Sequence, residues 1–224
     1  MIYRKSLLVA TALTLAGLSA GCSSDTPAAA PAAPATTAAQ GAADSTPEGR
    51  PNPYAYLPKV PTFTLTSETV KDGQPLPTAQ LSGVFKVPGG QDISPQLSWS
   101  GFPASTKSFV VSMYDPEAPT GNGFLHWVVA DIPGSATSLP ANAGLPASTT
   151  LPAGAFQLNG DAGAARYIGG APPAKSGTHD YYLTVTALDE AKTGGTASTS
   201  GALLAFTIGS HVVARATIVC PTVG

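Results

Sequence analysis

Cysteine is nearly missing from this chain: only Cys22 and Cys220 occur among 224 residues. A disulfide-stapled framework is therefore excluded, and the folded part must be held by an apolar core. Charge is sparse too. Charged side chains make up 11% of the sequence and the formal net charge is -2. No basic run or stripe occurs, which removes nucleic acid from the partners and argues against polybasic attraction to anionic lipid. Several reaction signatures are absent as well. The chain has no Gly-x-x-x-x-Gly-Lys-Ser/Thr loop, no Gly-x-Ser-x-Gly elbow and no His-Glu-x-x-His. No internal repeat is visible. Glycine and proline are plentiful, at 24 and 22 residues, and they cut the chain into short apolar runs.

The first residues read as a secretion signal. Arg4 and Lys5 form a positive start, and an apolar run from Leu7 ends in small residues at Gly21. That run is short and rich in Ala, Gly and Thr for a membrane span. Cys22 follows Leu18-Ser-Ala-Gly21, which is similar to a bacterial lipobox, although Ser19 stands where leucine is usual. The expectation is a lipoprotein-type signal over 1–21 and a lipid on Cys22. Ordinary cleavage near Ala20 is the alternative. Losing Arg4 and Lys5 takes the formal charge from -2 to about -4. Residues 22–54 form an Ala/Pro/Thr-rich tether with almost no bulky apolar side chain. Such a segment cannot repay the entropy of ordering, so disorder is expected there. The protein is then exported and held at the cell membrane, on its extracytoplasmic side, through the lipid on Cys22.

The remainder, 55–224, is long enough for one domain with its own core. Its pattern is mostly strand. Residues 62–66 and 180–188 alternate, 108–114 is β-rich, and 124–132 is apolar on both faces like a doubly covered strand. One helix is expected over 201–215, capped from Ser198-Thr-Ser200, with a short closing strand over 216–220. Regular short strands between turns predict a mainly β fold, an antiparallel β-sandwich with a short C-terminal helical segment. Trp99, Trp127 and the lone Cys220 read as core, and His211 as a structural or surface residue.

One stretch carries more chemistry than the rest: Tyr114-Asp-Pro-Glu-Ala-Pro-Thr-Gly-Asn-Gly-Phe-Leu-His-Trp-Val-Val-Ala130. Prolines stiffen the turn that bears Asp115 and Glu117. Period-two alternation puts Phe124, His126, Val128 and Ala130 on one face, so His126 is a lone polar group that needs a partner. Asp115 is the acceptor type at hand. His179 opens the strand that carries Tyr181. These groups make either a polar pocket or a set of satisfied core residues.

Three ordered segments resemble the phosphatidylethanolamine-binding protein family, also called Raf-kinase-inhibitor-like, in its bacterial branch. They are the stretch just quoted, Ser94-Pro-Gln-Leu-Ser-Trp-Ser-Gly-Phe-Pro103, and Tyr167-Ile-Gly-Gly-Ala-Pro-Pro173 followed by Gly177-Thr-His179-Asp-Tyr181. The resemblance spans roughly residues 60 to 221. It implies a β-sandwich with a small anion pocket for phosphate-type head groups. By that resemblance the ligand-binding residues are Asp115, Glu117, His126, Gly170, Pro172, Pro173, His179 and Tyr181. No catalytic residue, metal ligand or cofactor is assigned, and the resemblance alone does not settle whether the chain is an enzyme. The expected partners are a small anion or phospholipid head group, the membrane, and in one reading a protein. Three departures matter. Glu117 stands for the family's aspartate, Gly170 for a proline that would stiffen the wall, and Asp180 for an arginine beside the pocket. Arg166 or Lys175 is the candidate for the missing positive charge. Two other functions stay open: a hydrolase using Asp115, His126 and His179, and an inhibitor or interaction module with a vestigial pocket.

Overall fold

A computed structural model of the chain describes residues 52–224. The expected signal, Cys22 and nearly all of the tether lie outside the described residues. The strands are β1 (Thr64–Thr66), β2 (Leu97–Ser100), β3 (Ser108–Asp115), β4 (Phe124–Pro133), β5 (Ser138–Leu139), β6 (Phe156–Gln157), β7 (Thr178–Leu188) and β8 (Val212–Val223). One helix, α1 (Gly201–Ile208), precedes β8. All strand pairings are antiparallel. A small sheet has the order β1-β2-β5, and a large one has β6-β4-β3-β7-β8.

Alternation explains how the two sheets meet. Phe109, Val111 and Met113 of β3 share one face with Leu183 and Val185 of β7 and with Ala216 and Ile218 of β8. They pack on Leu97 and Trp99 of the small sheet, and the Trp99 and Phe109 rings meet edge-on at 5.3 Å. Each such aromatic side chain buries the largest apolar area available to a core. The expected mainly β sandwich is thus the observed architecture.

The opposite face of the large sheet has its own cover. Val110, Val128, Ala130 and Leu188 point there, and Leu204 and Ile208 of α1 lie on them. Tyr54 covers the next part of the same face. Its ring meets Tyr182 edge-on at 6.0 Å and carries the Arg215 guanidinium 5.1 Å from its centroid. Its hydroxyl lies among the side chains of Ser112 and Thr184.

The helix is shorter than its sequence pattern. Ser200 Oγ accepts the Leu203 N–H as a cap, but α1 stops at Ile208 and one tight turn, Gly209–His211, follows. The chain then pairs with β7 from Leu188↔Val212 to Thr178↔Val223. β-Branched Val212 and Val213 favour that ladder over a further helical turn, so β8 begins four residues earlier than 216.

Candidate functional site

A β-bulge aims the central histidine. β3 pairs Met113 with Trp127 but Tyr114 with Leu125, which leaves His126 as the extra residue. An unpaired bulge residue breaks the alternation. Val128 and Ala130 therefore face the helix, together with Leu125, while His126 turns to the other side. There its ring lies 4.7 Å from Phe124 and 5.3 Å from Tyr181, centroid to centroid. The expected single face of Phe124, His126, Val128 and Ala130 does not form.

Asp115, at the end of β3, is buried beside it. Its Oδ2 lies 2.7 Å from His179 Nδ1, and its Oδ1 accepts the Glu117 N–H at 2.9 Å. The Tyr181 hydroxyl also donates to this carboxylate. Tyr181 in turn accepts the Ala171 N–H at 3.0 Å, which fixes the loop after Gly170. Burial, and then the Asp115 charge, push the Tyr181 hydroxyl far above its usual range, so it stays a donor.

His126 does not use Asp115, contrary to the sequence expectation. Its Nδ1 lies 3.1 Å from the Ile168 carbonyl. A carbonyl only accepts, so the proton sits on Nδ1 and Nε2 keeps its lone pair. Burial lowers the His126 pKa from 6.5 to about 4, and the imidazole is neutral at pH 7. His179 is the partner of Asp115, and its Nε2 lies 2.8 Å from Ser176 Oγ.

These groups border a cavity of about 630 Å³. Asp115, His126, His179, Pro172 and Pro173 line it. Glu117, Gly170 and Tyr181 do not, although Tyr181 supports the lining from behind. Glu117 Oε2 instead accepts the Asp180 N–H at 3.0 Å and ties the proline turn to β7. Burial holds its carboxyl above the ordinary range. Gly170 serves packing rather than loosening a wall. A Cβ there would lie 2.6 Å from Leu76 Cδ1 and 3.0 Å from Tyr181 Cζ.

Two charge expectations change. Asp180 lies on the face of β7 opposite Tyr181, with Tyr182 and Thr184, and it is not part of the lining. Its carboxylate therefore makes no direct contact with an anion in the cavity. Arg166 and Lys175 do not line the cavity either, and Lys86 does. Lys86 sits in the irregular loop 82–92, which Asp92 holds in place. Asp92 Oδ2 accepts the Val84 N–H at 2.9 Å and Oδ1 accepts the Gly169 N–H at 2.8 Å. Nothing in the sequence pattern marks Lys86 or Asp92. His211 lies in the turn after α1, with Nδ1 2.9 Å from Asp189 Oδ1. Among the described residues, no group of His, Cys, Asp and Glu is arranged to hold a metal.

The model of the family described as phosphatidylethanolamine-binding protein matches residues 66–222. The chain is 42% identical to YbcL of Escherichia coli over 156 residues, covering 70% of this chain and 85% of that protein. It is also 42% identical to E. coli YbhB over 156 residues, covering 69% of this chain and 96% of YbhB. The crystal structure of YbcL, described as a member of the mammalian family of this fold, aligns with a TM-score of 0.69 at 40% identity. That alignment covers 71% of this chain and 97% of YbcL. The matched span holds the core strands and nearly every residue that borders the cavity, and the chain belongs to the phosphatidylethanolamine-binding protein family.

Proposed function

We propose that this chain is an exported, lipid-anchored binding module of the bacterial, Raf-kinase-inhibitor-like branch. Its cavity holds a small anion of the phosphate-head-group type and does not transform it. One observation carries the reading. The single acidic side chain in the cavity wall, Asp115, already accepts from the Glu117 N–H, His179 and Tyr181, while Lys86 is the one lysine or arginine side chain in that wall. An arriving anion meets a cation and a carboxylate whose oxygens are already engaged by three donors. His126 Nε2 adds an acceptor, which suits the remaining O–H of a monoprotonated phosphate or the N–H of an amine beside it. The lipobox-like Leu18-to-Cys22 sequence supports the anchor.

Titration of the protein with inorganic phosphate and with phosphoethanolamine, followed by NMR, tests the pocket. Saturable shifts of the His126 and Lys86 signals are expected. No shift with either probe rejects the anion reading. Labelled fatty acid tests the anchor: wild type takes it up and Cys22→Ser does not.

The hydrolase alternative draws on one observation. His179 bridges Asp115 and Ser176 in the order carboxylate, imidazole, hydroxyl. Ser176 Oγ also lies 2.7 Å from the Pro173 carbonyl, and its single proton serves one acceptor at a time. Nucleophilic activation requires that proton on the imidazole. A fluorophosphonate probe would label Ser176 in a working hydrolase, and an unlabelled protein sets that reading aside.

A further inference from the structure

Helix α1 shields the large sheet with Leu204 and Ile208, yet it is apolar on its outward side as well. Phe206 is 85% exposed and Leu203 56%. An eight-residue helix inside a water-soluble domain ordinarily presents polar residues there. From Thr193 to Ser210 the sequence contains no charged residue at all. Tyr56, also strongly exposed, lies two residues beyond Tyr54.

The position of the tether gives this surface an occupant. Tyr54 packs on Ser112, and α1 packs on Val110, two residues away on the same face of β3. The chain from Cys22 therefore enters the domain beside the helix. About 30 residues separate Cys22 from Asn52, a reach on the order of 30 Å as a flexible coil and about 90 Å if extended. Within that reach a lipid anchor keeps the domain at a high effective concentration near the bilayer, so a weak apolar contact suffices.

We infer that α1, through Phe206 and Leu203, docks on the phospholipid bilayer that holds the anchor. This rests on the lipid-anchor reading above. Docking presents the tether-side face to the membrane. His126 and His179 line the cavity from the other face of the large sheet, the face that docking through α1 leaves turned from the lipid. The contact is apolar, so added salt leaves it in place.

The test uses the full-length lipidated protein reconstituted in phosphatidylethanolamine and phosphatidylglycerol vesicles. Phe206→Trp, Leu203→Trp and, at the cavity mouth, Phe85→Trp each add one indole to the buried Trp99 and Trp127. Brominated lipid should quench the added emission of Phe206→Trp and Leu203→Trp, at low and high salt alike, and leave that of Phe85→Trp unchanged. Quenching of Phe85→Trp alone would mean that the cavity mouth faces the bilayer, and overturns the inference. Protection from iodide that needs no vesicles and grows with protein concentration would mean that a second copy covers the helix, and also overturns it. An anchored, sedimenting protein whose Phe206→Trp stays open to iodide defeats the docking but spares the anchor. A protein that takes up no fatty acid defeats both.

Discussion

The His179 imidazole sits 2.7 Å from the Asp115 carboxylate, joining the end of β3 to the start of β7 under the cavity. Both side chains are almost fully buried, so each is the other's compensation for lost water. Asp115→Ala would leave the imidazole and the Tyr181 hydroxyl without their acceptor. A loss of about 2–5 kcal/mol is expected, from two buried donors left unsatisfied. Urea unfolding measures it. Asp115→Asn, which keeps one acceptor oxygen, should lose less.

His126 ties stability to pH. Its pKa is 6.5 when unfolded and about 4 when folded, so the unfolded chain binds the proton first. Stability is complete above pH 6.5, falls as pH drops from there to about 4, and levels off for this group below that. The change amounts to about 3 kcal/mol. Unfolding curves between pH 7 and 4 should show this slope, and His126→Gln should flatten it. An unchanged slope in the variant would assign it to other groups.

Lys86 should set anion affinity without setting stability. Lys86→Glu is expected to weaken inorganic phosphate binding by about tenfold, the loss of roughly 1.4 kcal/mol, with an unfolding midpoint close to wild type. Calorimetric titration reads the first quantity and thermal unfolding the second.

Asp180 makes a contrast. It is buried on the face of β7 away from the cavity. Asp180→Arg would force a long cation into that space and should destabilise the domain by about 3 kcal/mol or more. Phosphate affinity of the folded fraction should not rise. A tighter complex would show that the side chain reaches the cavity after all.

Cys220 should be inert. Burial, and then the nearby Asp72 charge, push its thiol up to about 12. Iodoacetamide at pH 8 should leave it unmodified in the native protein and alkylate it in urea.

The sandwich was legible because its strands announce themselves locally. The alternation in 180–188 already separates Tyr181, Leu183 and Val185 from Asp180, Tyr182 and Thr184, and the core obeys it. Applied to Asp180, the same rule would have set it on the face of the strand opposite Tyr181 rather than beside the pocket. His126 escaped because a bulge is a property of the pairing between β3 and β4, not of either strand alone. Lys86 and Asp92 escaped for a related reason. Their loop has no period to read, and both residues hold backbone with positive φ, 62° and 53°. Helix α1 ran long in the sequence because the stop at Gly209, its C-cap, was read through, whereas the partner strand β7 rewards extension from Val212 onward.

The order of the large sheet also has a consequence in time. β3 and β4 are neighbours in sequence and can zip as a hairpin, but β7 must travel far along the chain to pair Ser108 with Leu188. Only when β7 arrives do His179 and the loop before it meet Asp115, and only then can β8 add Thr222 and Val223 to the rim. Pairings between such distant segments are late and slow events in folding. In a refolding experiment, phosphate binding should therefore recover with the slowest phase, while the early hairpin forms without a trace of it.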